Sequence, residues 1–147
     1  MAKVFLDKIK ATAHIESVVA QEELTNGQFL KLGVLGSDGE SRVATKATAA
    51  ADAEVFLADA PLSYGDPHFN LADYKVEKGH TARAYHLEKG DVISVTPDLV
   101  NGANVGDALT IGDSGLGFKK ASDAGMALVI GKETHGFDGD VFVIAIR

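Results

Sequence analysis

Gly90-Asp91-Val92-Ile93-Ser94-Val95, Gly106-Asp107-Ala108-Leu109-Thr110-Ile111 and Gly139-Asp140-Val141-Phe142-Val143-Ile144 read alike: a Gly-Asp pair opens each apolar run. Glycine accepts the positive φ of a tight turn, and an aspartate carboxylate can accept hydrogen bonds from the turn's own backbone. The β-branched residues behind each pair suit a pleated, half-buried surface. Three turn-then-strand punctuations in one short chain predict an all-β protein. The copies lie 16 and 33 positions apart, counted from glycine to glycine. A solenoid keeps a fixed period, so recurrent turn chemistry is the simpler explanation.

Outward from these runs, the closing segment Val141 to Ile146 is apolar enough to predict a central strand. Ala127-Leu128-Val129-Ile130 reads as a buried strand, Glu54-Val55-Phe56-Leu57-Ala58 as a short apolar strand, and Asn26-Gly27 is a strong turn signal ahead of Phe29 to Val34. Ala47 to Ala53 suits one helical turn or a linker. The expected architecture is a small β-barrel or β-sandwich of about eight to ten short strands, with long irregular loops and an N-terminal arm. Residues 1–24 have mixed spacing and read as that arm, or as a first strand or short helix; 25–147 form a single β-rich domain. From Leu62 to Lys78 the pattern dissolves, over more than the ~12–15 residues at which structureless loops become uncommon. This makes it the candidate interaction loop.

Composition narrows the function. The 147 residues carry a formal charge of −7, which opposes the phosphate-neutralising contacts of nucleic-acid binding. Lys119-Lys120 is the only adjacent basic pair. There is no cysteine, hence no disulfide or thiolate chemistry. No apolar stretch approaches the ~20 residues of a membrane helix. The start, Met1 to Asp7, meets charge before any signal-peptide core forms. No nucleic-acid or membrane partner is expected.

Catalytic and metal-binding patterns are weak. His80 and His86 share a strand face but lie about 20 Å apart at strand rise, too far to ligate one ion. His14 and His135 are unpaired in sequence, and no metal site or cofactor is expected. There is no Gly-x-Ser-x-Gly elbow. Gly112-Asp113-Ser114-Gly115-Leu116-Gly117 lacks the lysine of a phosphate cradle and reads as a turn. The Gly-Asp carboxylates already have a turn-forming explanation, so no catalytic residue is assigned. Alternation from Thr81 to Leu87 places Thr81, Arg83, Tyr85 and Leu87 on one face and His80, Ala82, Ala84 and His86 on the other. The Arg83 guanidinium can pair with a carboxylate inside the domain or across an interface. Tyr64, Phe69 and Tyr74 either plug a barrel end or anchor a contact.

The order of these motifs resembles a known family. Val55-Phe56-Leu57, Ser63-Tyr64, Leu71-Ala72-Asp73-Tyr74, Lys78 to Leu87, Lys89-Gly90-Asp91-Val92-Ile93-Ser94-Val95-Thr96 and Val105 to Ile111 follow the pattern of capsid decoration (cement) proteins of tailed bacteriophages. The resemblance covers Gly27 to Arg147. It implies a non-enzymatic virion protein made in the host cytoplasm, bound outside an icosahedral head, where it bridges subunits of the major capsid protein. It also allows a homo-oligomer, a trimer among the options. Implied capsid-binding residues are Val4 and Phe5 in the arm, Tyr64, His68, Phe69 and Tyr74 in the loop, and Arg83. The arm Ala2 to Lys10 is a candidate for strand addition to a capsid subunit. The competing readings are a carbohydrate- or peptide-binding surface module, another phage head or tail structural protein, and a small hydrolase with convergent carboxylates.

Overall fold

The computed structural model describes residues 3–9, 15–59, 75–135 and 139–147. The described residues form twelve strands: β1 (Val4–Lys8), β2 (Ile15–Ala20), β3 (Phe29–Leu35), β4 (Arg42–Lys46), β5 (Val55–Leu57), β6 (Thr81–Tyr85), β7 (Val92–Val95), β8 (Val100–Asn101), β9 (Ala108–Ile111), β10 (Phe118–Lys120), β11 (Ala127–His135) and β12 (Gly139–Ile146). That exceeds the expected eight to ten, because short pieces such as β8 and β10 carry too few residues to show a period. The all-β class stands. The alanine-rich stretch gives one 3-10 turn, Ala50–Asp52.

The strands divide into a closed barrel, β2-β4-β3-β5-β6, and a seven-stranded sheet, β1-β7-β12-β11-β9-β10-β8. Barrel and sheet therefore coexist where the sequence offered them as alternatives. As its apolar run predicts, β12 is central, between β7 and β11.

The barrel interior holds Val18, Ala20, Leu24, Leu30, Leu32, Ala44, Val55, Leu57, Val76, Ala82 and Ala84. Five strands enclose a narrow space, so alternating alanines with larger aliphatics lets the walls close. Residues of opposite parity on β3 and β5, Phe29 and Phe56, turn outward into a second core shared with the sheet. There they meet Phe118 of β10, with ring centroids 4.8 Å (Phe29–Phe56), 5.4 Å (Phe29–Phe118) and 5.9 Å (Phe56–Phe118) apart. Tilted and edge-on rings at such distances are favourable beyond simple burial. Ile93, Val95, Leu109, Ile111, Val129, Ile144 and Ile146 complete this core from the sheet side.

Four turns share one geometry. In Thr25–Gln28, Glu77–His80, Glu88–Asp91 and Asn104–Asp107 the fourth N–H donates to the first carbonyl, at 3.2, 3.0, 3.0 and 3.0 Å. The third residue is glycine at φ +94, +87, +100 and +94 respectively, the position where type II turns require positive φ. Each glycine N–H then donates to a carbonyl of the neighbouring strand (Leu57, Ala20, Ile146 or Val129), and that same residue's N–H returns to the fourth carbonyl of the turn. The next strand follows at once: β3, β6, β7 and β9. Two copies start barrel strands and two start sheet strands. In the Asp91 and Asp107 copies the carboxylate also accepts the first residue's N–H, at 2.8 Å each. The third Gly-Asp pair departs from this. Gly139 faces His135 across the β11–β12 hairpin, and Asp140 accepts Thr134 Oγ1 at 3.1 Å.

Candidate contact surface

β1 is an edge strand, antiparallel to β7, with Val4 opposite Val95 and Phe5 opposite Ser94. Val4 and Leu6 pack against the shared core. Phe5 and Asp7, of opposite parity, lie on the outer face of the sheet, where the Ser94 hydroxyl donates to the Asp7 carboxylate. The register shifts between Leu6 and Lys8, so Asp7 sits in a bulge. Val143 lies beyond Ser94 in the same row, and Val92, Ala145 and Leu128 form the next. These four apolar residues are half-buried. Exposed Ile130, at a register shift in β11, lies close by in the strand. The candidate arm is thus an integral strand in this structure, with Val4 turned to the core and Phe5 to the outer face.

Arg83 lies on β6 of the barrel, opposite Ser17 of β2. It is exposed, whereas Ala82 and Ala84 are buried inside the barrel. Among the described residues its side chain makes no hydrogen bond or ion pair. The alternation holds through Ala84, but Tyr85, placed with Arg83 by parity, is only 7 % exposed. Strand pairing does not unite Arg83 and Phe5, since one belongs to the barrel and the other to the sheet. Tyr64, His68, Phe69 and Tyr74 lie outside the described residues, as does most of the candidate interaction loop.

One polar cluster was not foreseen. At one barrel mouth Glu16 Oε1 lies 3.2 Å from His86 Nε2 and 4.0 Å from Arg42 Nη1, while Arg42 Nε donates to the Gly33 carbonyl at 3.0 Å. The inward parity of Glu16 with Val18, and of His86 with Ala84, was readable once β2 and β6 were known to pair. Sequence separation hid that pairing. Exposed Ile15, Val34 and Leu35 belong to the strand ends on this side.

Elsewhere two open hollows of about 390 and 310 Å³ meet along Ala50 and Thr110. Within the second, Lys119 Nζ binds Asp113 at 2.9 Å. The Glu40 and Ser41 N–H groups hold the Asp38 carboxyl below its ordinary value, which marks a self-capped turn. Among the described residues, no three His, Asp or Glu side chains gather in metal-binding geometry.

This geometry defines an all-β scaffold with one barrel, one sheet and a half-buried apolar outer face. No protein-family model and no curated protein matches the chain. Among solved structures, it is similar to the N base of the head fiber gp8.5 of bacteriophage phi29, with a TM-score of 0.51. That match covers 92% of this chain and 95% of the other, at 16% identity. At that identity the likeness is one of fold.

Proposed function

We propose that the chain is a structural protein of a tailed-phage virion that binds the outside of the capsid and stabilises the major capsid protein lattice. The observation that carries this reading is the fold likeness to a phage head fiber base over nearly the whole of both chains. It agrees with the resemblance to capsid decoration proteins, which rests on motifs between Val55 and Ile111. In this reading the protein performs no catalysis. Many modest contacts, repeated over the copies on a shell, give avidity beyond any single interface. A stiff two-core body is suited to that work, and a net charge of −7 suits a position away from packaged DNA. Phe5 and Arg83 are the described side chains assigned to the contact; Val4 supports Phe5's strand from the core side.

The test is sedimentation with empty expanded heads of the matching phage. The expected result is saturable co-pelleting and higher resistance of the heads to heat or chelation. Protein that stays in the supernatant while the heads pellet overturns the reading. A glycan or peptide that binds the free protein at the same surface would favour a surface-binding module instead.

A further inference from the structure

The chain contains two Asn-Gly pairs, Asn26-Gly27 and Asn101-Gly102, and the fold treats them in opposite ways. We propose that Asn101 is a site of spontaneous deamidation and isoaspartate formation, whereas Asn26 is protected. In this reaction the deprotonated backbone nitrogen of the following residue attacks the asparagine Cγ. The side-chain amide leaves as ammonia and a five-membered succinimide closes. Water then opens the ring at either carbonyl, giving aspartate or isoaspartate. Glycine favours the attack because no Cβ obstructs it.

Asn26 is 3 % exposed, its Nδ2 donates to the Asp59 carbonyl at 2.9 Å, and its Oδ1 accepts the Asp59 N–H at 2.9 Å. The nucleophile is engaged as well: Gly27 N–H donates to the Leu57 carbonyl at 2.9 Å. A Cβ at Gly27 would fall 2.6 Å from Leu99 Cδ1, so a ring has little room there. Reaction at Asn26 must wait for a local opening that breaks these bonds.

Asn101 differs in exposure, in side-chain bonding and in the room around its glycine. It is exposed, and its side chain makes no hydrogen bond among the described residues. Gly102, at φ +71, has open space where a Cβ would stand. β8 is a two-residue strand at the edge of the sheet, where local opening costs little. The product matters to its surroundings. Asn101 pairs in register with Lys119, whose ammonium holds Asp113. A new carboxylate there adds one negative charge to the chain's −7 and competes for that ammonium. Isoaspartate also lengthens the backbone next to buried Val100, the register partner of Phe118.

The test incubates the folded full-length chain in mildly alkaline buffer and maps isoaspartate by peptide mass spectrometry. Asn101 is expected to convert at least about tenfold faster than Asn26, because a local-opening cost of about 1.4 kcal/mol already gives that delay. In urea the two sites should convert at similar rates. Asn101→Gln should remove the main product. Equal rates in the folded protein, or conversion of neither site when both convert in urea, overturns the proposal. So does a main isoaspartate signal that survives Asn101→Gln.

Discussion

Four glycines set where strands begin, and their surroundings set how much each can lose. Gly27 and Gly90 hold nearly the same positive φ, +94 and +100. An alanine at either forces a side chain into the left-handed region, at about 1–2 kcal/mol. At Gly90 the added methyl meets open space; at Gly27 it collides with Leu99. Overpacking adds about 1–3 kcal/mol. Gly27→Ala should therefore destabilise clearly more than Gly90→Ala in urea unfolding, and equal midpoints would refute this account of the turn. The same residues show what was legible. Gly90-Asp91 and Gly106-Asp107 were readable because aspartate advertises the turn. Gly79-His80 makes the same backbone bonds without a carboxylate, and it passed as part of a strand face. Gly139-Asp140 has the letters but not the geometry, because a hairpin partner claims its backbone.

Residues 1–24 resisted reading at the level of elements, and β1 and β2 explain why. They serve different bodies: Val4 and Leu6 face the shared core, whereas Val18 and Ala20 fill the barrel. A bulge at Asp7 further interrupts period two within β1. Mixed spacing is what two short strands with separate cores must produce. The candidate contact residues were legible only in part, since alternation on β6 exposes Arg83 but does not say which neighbour covers Tyr85. The pairing of β1 with β7 has a measurable consequence. Removing residues 1–9 takes two partly buried aliphatic side chains from the core and uncovers the β7 edge. Full burial of one such side chain is worth about 1.5–3 kcal/mol, so the partial burial of two should cost roughly 2–3 kcal/mol. Chemical denaturation reads this directly; an unchanged midpoint would mean that β1 contributes nothing to the free protein.

The joint between barrel and sheet decides whether the molecule behaves as one body. Composition pointed to aliphatic cores, since only 7% of residues are aromatic. Yet three of the seven phenylalanines gather at one place, Phe29, Phe56 and Phe118, where the outer wall of the barrel meets the sheet. Their sequence separation kept this cluster out of reach of pattern reading, which sees faces but not which faces meet. Phe29 and Phe56 alternate with barrel-lining residues, so each of β3 and β5 contributes to both cores at once. Disorder in one core then removes half the support of a strand in the other, which couples the two. Phe56→Ala should cost about 3–5 kcal/mol, as truncation of a buried aromatic does. Wild type should unfold in a single transition, with amide exchange on β2 in the barrel and on β12 in the sheet reporting the same free energy. If Phe56→Ala instead leaves the β12 amides at wild-type protection while the barrel melts, barrel and sheet are separate bodies. The stiffness that the proposed lattice-binding role demands would then have to come from elsewhere.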